Sequence, residues 1–395
     1  MTYTTKLENW LPEQARMENI WKLLQYDPYT PLATTDDTYI SALRENIAYH
    51  YRQNDFYRDL LNAREFSPEQ LQSIHDLADV PSIHANFFKQ HVVTTASQEQ
   101  VVMQATSSGT AGQKSQHFLD RWTEQVVWHI ADVSQMANGF PSATPCNYLL
   151  FNYEPYTGFQ TGSAITHQRM MHYAPVNSVH YALRLDGNGG HAFDRFGVVD
   201  KLLQFQQEDK PVRMLGFAAL LNFTIDKLQA LGFEELPLHP DSRCLFGGGW
   251  KNHQDKEIPK AQFYEKIQRF FHIPLENIRD KYESVEHPIS YVECEHQHLH
   301  IPTYERVLVR DVKTLQPLPY GGIGFAQLIS PVITSMPSHS ILMGDLFSLH
   351  PAGSCACGRQ TPWVVVEGRA GSASTKLLTN RSDMVTTLAR DQIAL

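Results

Sequence analysis

The chain has 395 residues, 42% hydrophobic and 19% charged, the composition of a folded globular protein with room for two or three domains. Its net charge of −9, with no long basic run, argues against a nucleic-acid backbone as partner. The longest apolar run, Met214–Leu221, is too short to span a bilayer. The first ten residues lack the layout of a secretory signal, and five cysteines do not make a disulfide scaffold, so a cytoplasmic, reducing setting is expected.

The first hundred residues read as helical. One helix is expected from Asp36 or Asp37, with Ile40, Leu43 and Ile47 on one face. A second is expected at Ser67, where Pro68 and Gln70 complete a capping box. Val80–Lys89 reads as an extended stretch followed by an amphipathic turn. Short apolar strands then alternate with helical patterns. The strands are Val101–Thr106, Tyr148–Asn152, Val212–Phe217 and Arg243–Phe246; the helices are Trp122–Met136, Val198–Gln206, Ala218–Leu231 and Pro259–Phe271. This alternation predicts an α/β core with a largely parallel sheet. Beyond Pro288 the pattern becomes two-residue alternation with Gly and Pro punctuation, as in Arg306–Arg310 and Gly324–Ser330, and predicts an antiparallel β subdomain. The expected division is a helical region 1–99, an α/β core 100–289, a β subdomain 290–369 and a short tail 370–395.

The most informative segment runs from Ala105 to Ser115. It follows a strand, concentrates hydroxyls (Ser107, Ser108, Thr110) and glycines (Gly109, Gly112), and ends in Lys114. Glycines let backbone N–H groups approach an anion, hydroxyls add donors, and the lysine adds a mobile positive charge, so the segment suits a polyphosphate. The spacing is not that of a Walker A loop, and no Gly-x-Ser-x-Gly elbow occurs in the chain. Without a ligand, such a stretch is a surface loop.

The segment resembles the Thr/Ser-Ser-Gly-Thr-Thr-Gly-x-Pro-Lys signature of adenylate-forming enzymes, the superfamily of acyl-CoA synthetases, peptide-synthetase adenylation domains and beetle luciferases. Ala111 and Gln113 depart from it. Further pieces follow in the superfamily's order. Phe246–Lys251, with Gly247, Gly248 and Gly249, resembles the loop that passes the adenine, in the form carried by the acyl-protein synthetases of the luminous-bacteria fatty acid reductase complex (LuxE type). Tyr282–Glu286 is similar to Tyr-Gly-x-Thr-Glu, whose aromatic ring covers the adenine and whose glutamate holds Mg2+; Tyr282 and Glu286 match, Val285 does not, and Ser284 is a partial substitute. Asp345 stands where the superfamily grips the ribose hydroxyls, and Arg369 where a hinge arginine contacts ribose or phosphate. Val80-Pro81 with Phe87-Phe88-Lys89 resembles an early segment of LuxE-type and phenylacetate–CoA ligase-type members.

The resemblance implies the large N-terminal domain of an adenylate-forming enzyme, two α/β subdomains plus a β subdomain. It implies ATP and Mg2+ as ligands and Lys114, Glu286 and Arg369 as catalytic groups. The expected reaction is ATP-dependent activation of a fatty or aryl carboxylic acid as acyl-adenylate, then acyl transfer to a thiol. Residues 370–395 are too few for the superfamily's small C-terminal domain. The LuxE type acylates a cysteine near its own C-terminus, but no cysteine follows Cys357, so CoA or an acyl carrier or partner protein is the expected acceptor. The acid is expected against Phe151–His172, an aromatic and glycine-containing stretch. A catalytically silent nucleotide- or acyl-adenylate-binding subunit that needs a partner is the alternative, motivated by Val285 and the short tail.

Cys294, His296, His298 and His300 alternate, which on a strand places all four on one face, and Cys355 and Cys357 form a Cys-x-Cys before glycine. Two thiolates from a turn with one thiolate and one imidazole from a strand would close a structural Zn2+ site. A similar arrangement in phenylacetate–CoA ligase-like members favours Cys294, His300, Cys355 and Cys357 as its ligands. Read without a metal, the same residues are reduced thiols beside a polar histidine face. A zinc hydrolase is disfavoured because no His-Glu-x-x-His occurs.

Overall fold

The computed structural model describes residues 17–106, 115–156, 166 and 168–370. These form two compact units that do not follow the linear order of the chain. One, the helix–β unit, comprises residues 17–137, 284–291 and 298–370; the other, the α/β unit, comprises 138–283 and 292–297.

The helix–β unit opens with α1 (Glu18–Leu23), α2 (Leu32–Gln53) and α3 (Asp55–Ala63). Helix α2 begins about a turn before the expected Asp36 or Asp37. Pro31, at φ −51°, is already set for the first turn, and its carbonyl accepts the Thr34 N–H at 2.9 Å. Ile40, Leu43 and Ile47 are buried as the spacing predicts. The Ser67 capping box forms, but on one 3-10 turn, Pro68–Gln70, because Leu71 at once turns extended. The short strand β1 (Ile83–His84) leads into α4 (Phe87–Gln90). The hairpin strands β2 (Val101–Thr106) and β3 (Gln116–Asp120) then run into α5 (Arg121–Ala137).

In the α/β unit the chain lays down β4 (Cys146–Tyr153), β5 (Val176–Leu185), β6 (His191–Phe193), α6 (Arg195–Glu208) and β7 (Val212–Gly216). It continues with α7 (Ala218–Ala230), β8 (Arg243–Gly247), α8 (Lys260–Phe271), β9 (Ile278–Tyr282) and, re-entering the unit at Val292, β10 (Tyr291–Val292). The sheet order is β10-β9-β8-β7-β4-β5-β6. The β4–β5, β4–β7, β7–β8 and β8–β9 pairs are parallel, and the β5–β6 hairpin is antiparallel. Both faces are covered, so the central strands are apolar throughout rather than alternating. Leu149, Phe151, Met214 and Phe246 join one core with α6, α7 and α8, while Tyr148, Leu150, Leu215 and Leu245 join a second core on the opposite face.

Within this unit, Glu293 is fully buried and bound by the Tyr264 hydroxyl (2.8 Å), the Asp280 N–H (2.7 Å) and the Lys260 ammonium. Desolvation first, and the Glu293 charge second, push the Asp280 carboxyl up to about 7. A pKa raised in the folded state favours the fold below the unfolded value and weakens it as pH rises through the folded value. Asp280 is partly exposed as a residue, which discounts the full shift. Between pH 4 and 8, Asp280→Asn should therefore remove about 2 kcal/mol of destabilisation with rising pH. Denaturant unfolding of both proteins across that range measures it; parallel curves would refute it.

The helix–β unit is completed by β11 (Leu299–His300), β12 (Arg306–Arg310), β13 (Ile323–Ile329), β14 (Ser340–His350) and β15 (Trp363–Arg369). They form an antiparallel sheet in the order β11-β15-β14-β13-β12, which matches the β subdomain expected after Pro288, and β1 adds to β14 in parallel. Helices α2 and α3 are pinned to this sheet's loops by buried polar bonds. Tyr39 donates to the Ile329 carbonyl (2.6 Å), Asn46 to the Ile333 carbonyl (2.8 Å), and Tyr57 pairs with His339 (2.6 Å). Among the described residues no helix is long and apolar enough to cross a membrane.

Candidate active site and metal cluster

Strand β14 builds the centre of the site in the helix–β unit. Between the pairs Phe325↔Leu346 and Gln327↔Leu342, a single residue of β13 stands against Met343, Gly344 and Asp345. The resulting bulge bends the strand and re-aims Asp345. Across β15, Asp345 pairs with Arg369, its carboxylate 3.6 Å from the guanidinium. The residue before that arginine, Gly368, has φ +138°, a backbone state that a side chain would strain.

Strand β1 brings a further cation to this place. Ile83 and His84 pair with Ile341 and Leu342, and the Ala85 N–H donates to the Leu342 carbonyl at 3.0 Å. Lys89 follows on α4. Burial first, and the Arg369 guanidinium second, hold its ammonium below the usual lysine range, while Glu286 and Asp345 draw it back up. Burial and the Lys89 charge also hold His84 down to about 4, so that imidazole is neutral at pH 7. Two cations and two carboxylates thus share one electrostatic neighbourhood. Lys89 lies in the Phe-Phe-Lys segment that the sequence singles out but does not place in the site.

Glu286 is buried at 9% exposure on a turn closed by the Ser284 Oγ, which accepts the His287 N–H at 3.1 Å. His287 is locked in turn by Glu305, at 2.9 and 3.0 Å, and by the Ser338 carbonyl. Ser284 is therefore already engaged in holding the turn.

In the α/β unit, Gly247 ends β8, and Gly248 and Gly249 follow it. Gly248 and Gly249 have φ of +77° and +63°, so this turn needs residues without a Cβ. Tyr282 ends the neighbouring strand β9. The carboxyl ends of β4, β7, β8 and β9 open on the same edge, where parallel α/β sheets place ligands. Ser107, Ser108, Gly109, Thr110, Gly112 and Lys114 lie outside the described residues; the hairpin partners Thr106 and Gln116 bracket them.

A second cluster occupies the other end of β14 and β15. His300, Cys355 and Cys357 have their ligand atoms within 4.8 Å of one another. His300 Nε2 faces the Cys357 sulfur at 3.2 Å. Its Nδ1 lies 3.2 Å from the Thr361 carbonyl and 3.1 Å from the Thr361 hydroxyl; the tautomer that donates from Nδ1 to the carbonyl leaves Nε2 as a ligand atom. His298 Nδ1 approaches the Cys355 sulfur at 3.1 Å, and its ring stacks on Trp363 at 3.7 Å. The strand face expected to carry Cys294, His296, His298 and His300 together does not form. Cys294–Gln297 is a turn, closed by the Gln297 N–H on the Cys294 carbonyl, with Gln297 at φ +58°; His296 is exposed and Cys294 buried. Cys146 and Cys244 are buried in β4 and β8.

Comparison with known proteins places the chain in a family. A family model described as acyl-protein synthetase, LuxE, matches residues 27–381. The long-chain-fatty-acid–luciferin-component ligase of Aliivibrio fischeri is 23% identical over 304 residues, covering 75% of each chain. The Vibrio harveyi protein of the same name is 22% identical, covering 73% of each. Among solved structures, 2-hydroxyisobutyryl-CoA ligase in an open conformation, in complex with its acyl-AMP and CoA, aligns with a TM-score of 0.65 at 15% identity, over 87% of this chain and 76% of that one. The same ligase in its postadenylation state aligns at 0.63. The chain therefore belongs to the LuxE acyl-protein synthetase family and has the α/β fold of an adenylate-forming ligase.

Proposed function

We propose that this chain is an acid–thiol ligase that activates a carboxylic acid with ATP and passes the acyl group to a thiol. A carboxylate is a poor electrophile because oxide would have to leave. Attack of the carboxylate oxygen on the α-phosphorus of ATP expels pyrophosphate and leaves an acyl-adenylate; a thiolate then displaces AMP. No general base is needed for the first step. What it needs is fixed positive charge and donors around the phosphoryl oxygens. In this reading Lys114 and the donors of Ser107–Gly112 bind the phosphates, Glu286 holds Mg2+, Tyr282 and Gly247–Gly249 receive the adenine, and Asp345 accepts from the ribose hydroxyls. Mg2+, when bound, neutralises phosphoryl charge. Arg369 and Lys89 supply positive charge for the developing negative charge.

The observation that carries the proposal is the Asp345–Arg369 pair on bulged β14 with Lys89 and Glu286 in the same field. Acid-dependent exchange of labelled pyrophosphate into ATP tests it. Exchange with octanoate, palmitate, benzoate or phenylacetate is the expected result, and none with any of them refutes it.

For the second cluster we propose structural zinc, held by His300, Cys355, Cys357 and Cys294, which lies four residues before His298. Four protein ligands leave no position for water or substrate. Strand β15 spans six residue steps from Trp363 to Arg369, on the order of 20 Å. An acyl group held at Arg369 is therefore far from Cys357, which supports an external thiol, CoA or a carrier protein, as acceptor.

A further inference from the structure

A small ionic network in the α/β unit sits where the motif resembled by Tyr282–Glu286 carries glycine, and a glycine could make none of its bonds. Glu283 receives donors from two described residues. Its Oε2 is 3.0 Å from the Lys281 ammonium, and its Oε1 accepts from the Thr166 hydroxyl at 3.2 Å. The Lys281 side chain is 2% exposed, so Glu283 compensates an enclosed charge. The same lysine packs against the glycine turn: a Cβ on Gly247 would fall 2.9 Å from its Cε and 3.1 Å from its Cγ. Thr166 belongs to the connection from β4 to β5, which leaves the sheet at its ligand-binding edge.

We infer that Glu283 is a positioning residue for the carboxylic acid: it ties the connection carrying Thr166 to the end of β9 and, through Lys281, to the glycine turn of β8. The inference rests on the proposed function, with the nucleotide along β8 and β9, and on the sequence expectation that the acid docks in the stretch that contains Thr166. One carboxylate then sets the distance between the two reactants. Fixing that distance matters because an ångström of misplacement lowers the rate of a bimolecular step steeply.

Thr166→Val removes the hydroxyl bond while leaving Lys281 paired, so the fold should be kept; its thermal midpoint should stay within a few degrees of the wild type. In pyrophosphate exchange with the panel above, KM for the acid should rise about 5–10-fold, with KM for ATP changed by less than about twofold. Thr166→Ser should restore the wild-type value. Glu283→Gln, which keeps an acceptor for Thr166 but no charge for Lys281, should keep acid KM nearer the wild type than Thr166→Val does. An unchanged acid KM in Thr166→Val, or equal rises in both KM values, overturns the inference while leaving the ligase reading intact. No exchange by the wild type overturns both.

Discussion

Glu286→Gln should lower acid-dependent pyrophosphate exchange by about 100–1,000-fold at millimolar Mg2+, with part of the loss recovered as Mg2+ is raised. The substitution keeps size and hydrogen bonding but deletes one of two carboxylates in a field that also holds Lys89 and Arg369. Without it the two cations repel across the site and the divalent ion loses its anchor. Asp345→Ala should differ in kind. It removes one carboxylate beside Arg369 and the proposed ribose acceptor, so the main change should be a rise in KM for ATP of one to two orders of magnitude. The fold should persist in both, because the His287–Glu305 pair and the β14 ladder are untouched. Steady-state exchange kinetics against Mg2+ and ATP separate the two. A Glu286→Gln protein with wild-type exchange would remove Glu286 from the reaction.

The second large effect is expected at the thiol turn. The purified protein should contain about one zinc ion per chain, and Cys355→Ser or Cys357→Ser should abolish it. Thiolate and imidazole ligation of zinc contributes folding energy directly, about 10 kcal/mol or more in isolated small domains. Here the cluster joins β11, the 351–362 turn and β15 within a larger fold, so the loss should be partial, a fall in thermal midpoint on the order of 10 °C. Elemental analysis and thermal unfolding with and without a strong chelator read both quantities. Metal-free protein with unchanged stability would leave reduced thiols as the whole account. Cys244→Ser, in an apolar strand, should leave the zinc content unchanged.

The order of strands and helices in the α/β unit is legible because each buried parallel strand is a continuous apolar run and each helix carries its own 3.6-residue stripe. Asp345, Glu286 and the three glycines stand out in the sequence for another reason, their resemblance to short motifs, and their roles rest on the proposed function. What the sequence hides is long-range. Nothing near Ile83 announces that β1 pairs with Ile341 and Leu342, so Lys89 has no assigned role in the sequence reading until that pairing brings it into the field of Asp345. The alternation from Cys294 to His300 looks like a strand because its period is two, but Gln297 takes a left-handed conformation and the run breaks in its middle. Glu283 and Lys281 are ordinary charged residues in sequence; only burial and the glycine beside them give them meaning.

The bulge on β14 has a consequence for how this strand can change. Side chains along a strand swap faces with every step, so the three-against-one stretch at Met343–Asp345 decides which side of the sheet the Asp345 carboxylate occupies. Trimming one residue there would leave composition and hydrophobicity almost intact, yet it would turn Asp345 into the interior and slide the thiol turn relative to its partners on β11. Lineages of this fold should therefore tolerate substitution along β14 far better than a change in its length.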